Sequence, residues 1–483
     1  MDRHIRSLAL FLLACFVLLF IQLNRIQVLQ APKLGSAAGN PRVAINRLSR
    51  ARGVIQTANG VIVAQSVPSH DQFKYLRVYP DGPLYAGITG YDSLNYGAAG
   101  VEASYGKYLG AHSAPIHSLS DLLTSNTTTD SVTLTISSTL QSLAAQQLGT
   151  KHGAVVAIDP STGAILAMYS SPTYNPNLLA SHNGATEQKA WKAYTSNRSQ
   201  PLLSRAYQQR YPPGSTFKIV TSSAIYDHMP SLANTIYPML PALKLPQTTA
   251  LLHNYANEVC GGTLANAFKV SCDSTYGQIG LDLGGSNLAS EAKSFGFDHV
   301  PPLDLPGAVA SSFPAASTFA GQLPALAFSA IGQENVAATP LEMAMTTAAI
   351  ANGGRMMVPH VVAQVRSAQG TLVKQVTPQL WRQATSSSTA ASVAALMRGV
   401  TQGGTASNVA IPGVTVAAKT GTAQLGRGNG YTDDWLVAFA PASNPKVAVA
   451  VEVNNQPPPA TGSSAAGPIA RAMLIAALGL ANG

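Results

Sequence analysis

A chain of 483 residues with 46% hydrophobic side chains is long enough for two or three domains, each with a buried core. Its formal charge of +9 invites a polyanionic partner, yet residues 1–52 carry eight Lys or Arg against the lone acid Asp2, a net +7. The remainder is close to neutral and lacks a basic stripe with interleaved aromatics, so nucleic acid is excluded as an expected partner.

From Leu8 to Leu23 the residues are almost wholly apolar, with Ile5 and Ile26 at the margins. That run is long enough to cross a bilayer with a slight tilt. It predicts an uncleaved anchor over 8–28 behind a cytoplasmic tail of residues 1–7. A cleaved signal peptide would need a small-residue cleavage site after the run, and none follows. Leu12-Leu13-Ala14-Cys15 has the form of a lipidation box, but the run continues past Cys15, so this thiol reads as packing in the membrane. Arg3 and Arg6 flank one side, and Arg25, Lys33 and Arg42 the other. Charge therefore leaves orientation open, and large domains translocate largely regardless of it.

Residues 34–130 are rich in Gly, Ser, Tyr and Ala and predict a small mixed domain. Within it Arg52–Gln56 and Asn59–Ser66 read as two short strands around a tight Asn59-Gly60 turn. The polar stretch from His112 to Asp130 reads as a linker. A larger unit over 131–483 opens with a strand at Val132–Ile136 and a helix around Leu140–Leu148. Two apolar runs, Ala154–Ile158 and Ala164–Tyr169, flank the turn Asp159-Pro160-Ser161-Thr162-Gly163 and predict adjacent antiparallel core strands. Three further strands are expected at Val414–Thr422, Trp435–Ala440 and Val447–Val453, followed by an apolar helix at Ala465–Leu480.

In the middle of this unit stands Tyr211-Pro212-Pro213-Gly214-Ser215-Thr216-Phe217-Lys218. A rigid Pro-Pro pair and a permissive Gly lead into an apolar run with helical spacing, so a loop turns into a buried helix. Ser215 then lies in the first helical turn, where free backbone N–H groups stabilise developing negative charge. Lys218 falls one turn further on the same face. Burial lowers a lysine's proton affinity, so the pair forms a nucleophile with its own base. Downstream stand Ser271-Cys272-Asp273 and Lys419-Thr420-Gly421-Thr422.

Ser-x-x-Lys, then Ser-x-Asn, then Lys-Thr-Gly, in that order, is the signature of penicillin-binding proteins and serine β-lactamases, and this chain resembles that superfamily with Asp273 in place of the Asn. The hairpin around Asp159–Gly163, the segment Ser170–Asn177, Ala327–Glu334, Thr339–Ala344 and Ile350–Gly354 extend the resemblance over most of residues 132–480. Arg52-Gly53, Asn59-Gly60 and Gly97-Ala98-Ala99-Gly100-Val101-Glu102 resemble the membrane-proximal domain of the class B branch. That region is too short to house a glycosyltransferase as well.

The resemblance implies an α/β (α+β) penicillin-recognising serine transpeptidase fold: an antiparallel sheet built from both ends of the unit, with a helical lobe inserted and the cleft between them. It implies a monofunctional peptidoglycan D,D-transpeptidase, anchored in the bacterial cell membrane with its catalytic domain outside. Ser215 would be the acylated nucleophile, Lys218 its base and Ser271 the proton-relaying hydroxyl. Lys419, Thr420, Gly421 and Thr422 would hold the terminal carboxylate of the stem peptide, with substrate backbone lying along Gly421. The backbone N–H groups of Ser215 and Thr422 would form the oxyanion hole. Asp273 can only accept hydrogen bonds when ionised, and near Lys218 it would oppose the base. It is therefore expected either to be protonated or to turn toward Lys419. Expected partners are stem peptides, β-lactams, the membrane and a lipid II polymerase. No metal cluster or nucleotide loop is seen, and no cofactor is implied. Cys260 and Cys272, a dozen residues apart, form either a disulfide or two buried thiols. A serine β-lactamase and a membrane-anchored β-lactam sensor are the rival readings; the sensor is disfavoured by the roughly seven residues before the span. D,D-carboxypeptidase activity has the same motifs.

Overall fold

The computed structural model describes residues 2–29, 45, 48–113, 127–426 and 430–480. Lys33, Arg42 and most of the expected linker lie outside the described residues. Helix α1 (Asp2–Asn24), continued by one wider turn at Arg25–Leu29, is the one described helix long and apolar enough to cross a membrane. Its Leu10, Phe16, Leu18 and Phe20 are exposed, as a helix whose apolar surface is not covered by protein must leave them.

Strands β1 (Ile55–Gln56) and β2 (Ile62–Pro68) form the expected hairpin. Its turn needs Gly60 at φ +83°, and Asn59 Oδ1 accepts from the Ser138 N–H, tying the turn to the next domain. β3 (Tyr75–Val78) pairs with β2. β4 (Ser131–Leu134) runs parallel to β1, pairing Ile55 with Val132. Helix α2 (Ser138–Leu148) follows, capped by the Ser137 hydroxyl, then β5 (Gly153–Ile158) and β6 (Ile165–Ser171). The helical lobe comprises α3 (Lys218–His228), α4 (Leu264–Lys269), α5 (Asp273–Ser294), α6 (Leu323–Ala330) and α7 (Pro340–Ala351). Next come β7 (Val362–Arg366), β8 (Leu372–Gln375) and α8 (Ser387–Thr401). Strands β9 (Ala417–Gln424), β10 (Thr432–Ala440), β11 (Val447–Gln456) and helix α9 (Gly467–Ala477) complete the chain.

The central sheet has the order β9-β10-β11-β5-β6, antiparallel throughout. It is built from both ends of the second unit, as expected. Every residue of β10 and each of Val447–Val453 in β11 is buried. These strands read as unbroken apolar runs because both faces are covered: α7 packs on β11 and β5, while α2 and α9 pack together on the other side.

The second sheet, β8-β7-β4-β1-β2-β3, departs from the sequence reading. The run Val132–Ile136, expected to open the transpeptidase unit, pairs on one side with β1 of the small N-terminal region and on the other with β7 from far downstream. The boundary placed between residues 130 and 131 is therefore bridged by backbone hydrogen bonds. Within the N-terminal region the buried Glu102 carboxylate holds two guanidiniums, Arg52 Nε at 2.5 Å and Arg77 Nε at 2.6 Å.

Candidate active site

The turn that carries Ser215, the expected nucleophile, is a short 3-10 helix, Gly214–Phe217, leading into α3. Gly214 has φ +52°, and its N–H donates to Gly332 O at 3.0 Å. A side chain on Gly332 would start 2.2 Å from Gly214 O, which accounts for the glycine of the Ala327–Glu334 segment. Phe217 is fully buried between Phe313, stacked at 5.3 Å, and Phe297, edge-on at 5.4 Å. Trp435 of β10 donates its indole N–H to Pro212 O at 2.9 Å. The turn carrying Ser215 is thus fixed from the helical lobe and from the sheet.

The three sequence motifs meet here. Ser271, with φ +61°, occupies a left-handed conformation that a non-glycine residue adopts at some cost in strain. It links α4 to α5. Lys218, fully buried, donates from Nζ to Ser271 O at 2.8 Å, to Ser271 Oγ at 3.4 Å and to Asp273 Oδ1 at 2.7 Å. Lys419 Nζ donates to Ser271 Oγ at 2.7 Å and to Thr420 O at 3.0 Å. Ser215 Oγ donates to Asp273 Oδ1 at 3.4 Å. A continuous hydrogen-bonded chain therefore runs Ser215, Asp273, Lys218, Ser271, Lys419. Tyr276 supports it from below, its ring 5.1 Å from Lys218 Nζ and its hydroxyl 2.7 Å from Ser222 Oγ.

Burial pushes the Lys218 ammonium below the ordinary lysine value, and the Asp273 charge and hydrogen bond oppose that shift without cancelling it. Lys419 is pushed well below its ordinary value by burial, helped by the neighbouring Lys218 charge. Neither lysine is an exposed cation.

One expectation needs correction. Asp273 does not turn toward Lys419: it sits on the first residue of α5 and pairs with Lys218, because the left-handed Ser271 aims the helix start at α3. The side-chain face of Gly421 is turned toward the Ser215 turn. A Cβ there would stand 2.8 Å from Pro213 O, 3.0 Å from Thr216 Cγ2 and 3.1 Å from Trp435 Cβ, so the glycine lets β9 lie against the turn that carries Ser215. The Thr420 and Thr422 hydroxyls are both engaged, the first with Thr405 Oγ1 at 2.7 Å and the second accepting from Gly462 N–H at 3.0 Å. Thr405 and Trp435 were not singled out in the sequence; no local pattern marks either.

Cys260 and Cys272 form a disulfide. It ties the short strand Cys260–Gly262 to the residue between Ser271 and Asp273.

Sheet, lobe and converging motifs define a serine acyltransferase of the penicillin-recognising type. The penicillin binding protein transpeptidase domain family matches residues 153–474, and the penicillin binding protein A dimerisation domain family matches residues 52–132. The chain belongs to the class B penicillin-binding protein transpeptidases. It is 38% identical to the peptidoglycan D,D-transpeptidase PbpA of Mycobacterium tuberculosis, over 99% of each chain. Its identity to PbpA of Mycolicibacterium smegmatis is also 38%, with the same coverage. Among solved structures, penicillin-binding protein A from M. tuberculosis as its ceftriaxone acyl-enzyme superposes with a TM-score of 0.82 and 36% identity, covering 90% of this chain and all of that one.

Proposed function

We propose that this chain is a peptidoglycan D,D-transpeptidase that works through an acyl enzyme on Ser215. The hydrogen-bonded chain from Ser215 to Lys419 carries the reading, because it gathers a nucleophile, a buried amine and a second hydroxyl around the Asp273 carboxylate. Ser215 Oγ attacks the carbonyl of the penultimate D-alanine while its proton passes to the neutral Lys218 amine. Asp273 stabilises the ammonium so formed. As the tetrahedral intermediate collapses, the proton moves through Ser271 Oγ to the departing D-alanine nitrogen, the amide bond breaks and the ester to Ser215 forms. An amine from a neighbouring strand then attacks the ester and restores the serine. Backbone N–H groups of Ser215 and Thr422 stabilise the oxyanion, each such donor contributing about 3 to 4 kcal/mol. The Lys419–Thr422 strand holds the substrate carboxylate. The β-lactams acylate the same serine.

Helix α1 serves as a single membrane anchor with residues 1–7 inside and the rest of the chain outside. A lipid II polymerase supplies the strands to be joined. The direct test supplies the purified protein with a stem pentapeptide ending in D-Ala-D-Ala together with an amine acceptor. Free D-alanine and cross-linked product are expected in equal amounts, and neither with Ser215→Ala. Release of D-alanine with only the hydrolysed peptide would assign a carboxypeptidase, and unchanged release by Ser215→Ala would remove the mechanism.

A further inference from the structure

A cavity of about 490 Å³ lies in the N-terminal region, lined by residues from Leu48 to Ala111 and by none of the cleft residues. Its polar wall consists of Arg50, Arg52, Arg77, Ser66, Tyr75 and Asp92. Three guanidiniums face it against one lining carboxylate, Asp92, which lies 3.7 Å from Arg52 Nε. Glu102 sits behind the wall, fully buried, and engages the Nε atoms of Arg52 and Arg77.

The remaining donors on these arginines are spoken for unequally. Arg77 Nη1 donates to Gly53 O at 2.8 Å and Arg52 Nη2 to Glu102 O at 2.7 Å. Arg77 Nη2, on a side chain only 2% exposed, is buried with no hydrogen-bond partner among the described residues. Arg52 Nη1 makes no hydrogen bond among the described residues and faces Gly110, where even an added Cβ would stand 3.8 Å away. The Ser66 oxygen accepts from Arg52 N–H at 2.9 Å, which leaves its own O–H to donate. A buried guanidinium donor without an acceptor carries its full desolvation penalty. A planar fork of such donors matches the oxygens of phosphate.

We infer that this cavity is an anion site that takes a phosphate or pyrophosphate group, held by Arg52 Nη1, the Ser66 and Tyr75 hydroxyls and, at the rim, Arg50, with the Arg77 guanidinium adding its charge from the wall. The phosphate comes either from a free solute or from a lipid headgroup of the membrane beside which α1 would hold this region. The site is separate from the acylation cleft and does not depend on that reading.

Calorimetric titration of the full chain in neutral detergent with inorganic pyrophosphate tests it, with a second titration using soluble dihexanoyl phosphatidic acid. Saturable binding at one site is expected, weakened at least about tenfold by Arg50→Glu and weakened by added salt, as for charge-assisted bonds at a partly open site. Tyr75→Phe, which keeps the ring and removes the hydroxyl, is expected to weaken it less. Both variants should keep the wild-type melting temperature, which separates lost binding from lost fold. Tighter binding of phosphatidic acid than of pyrophosphate would identify the lipid source, and the reverse order a free solute. No saturation by either probe, or binding unchanged in Arg50→Glu, would overturn the proposal.

Discussion

Asp273 accepts from Lys218 at 2.7 Å and from Ser215 at 3.4 Å, so one carboxylate touches both the proposed nucleophile and its proposed base. In the proposed mechanism it stabilises the ammonium that forms during attack, and for the same reason it opposes the neutral amine that attack requires. Only the unprotonated fraction of Lys218 can take the proton, so acylation rises with pH through the lysine's pKa. That pKa is lowered by burial and partly restored by Asp273. Removing the negative charge with Asp273→Asn should therefore move the alkaline-rising limb of acylation to lower pH by about 1 to 3 pH units. Stopped-flow acylation by a chromogenic β-lactam across pH checks it, and superimposed profiles would mean that the carboxylate is not coupled to the base. Ser215, Lys218, Ser271 and Lys419 were legible as a set because their spacing and order form a pattern along the chain. The direction of Asp273 was not, since it depends on a positive φ at Ser271 that no neighbouring residue type demands.

At the scale of elements, the site is a contact between strand β9 and the 3-10 turn before α3, with Gly421 at the point of closest approach. A methyl group there meets Pro213 O at 2.8 Å, and neither backbone can yield without displacing Ser215 or Thr422. Gly421→Ala should slow acylation by about 10- to 100-fold, the scale expected when reacting groups move by about 1 Å. Far-UV circular dichroism should stay unchanged; acylation at the wild-type rate would show that the contact is not needed. The central strands were readable from sequence because burial on both faces leaves continuous apolar runs such as Val447–Val453. The second sheet was not, because its β1–β4 and β4–β7 pairings join residues 55, 132 and 365, and short polar-flanked strands do not announce their partners.

For the whole molecule, the shared six-stranded sheet joins the N-terminal region and the transpeptidase unit through backbone hydrogen bonds. The molecule's stability should carry a pH dependence set by buried acids. Glu342, in the first turn of α7, is fully buried with neither carboxyl oxygen hydrogen-bonded among the described residues, and burial pushes its pKa from 4.5 to about 8 against the pull of Arg382. The folded state thus keeps a proton that the unfolded chain releases. This contribution is full below pH 4.5 and is lost as pH rises toward about 8, following the difference in bound protons. The melting temperature should fall across that window, and Glu342→Gln should flatten the fall; an equal slope in the variant would assign it to other groups.

The central claim, that Ser215 is the acylated nucleophile, is tested most directly by intact mass of the purified protein during incubation with penicillin G. A long-lived adduct of one penicillin per chain is expected, absent from Ser215→Ala. An adduct that persists in Ser215→Ala, or none in the wild type, would contradict the account.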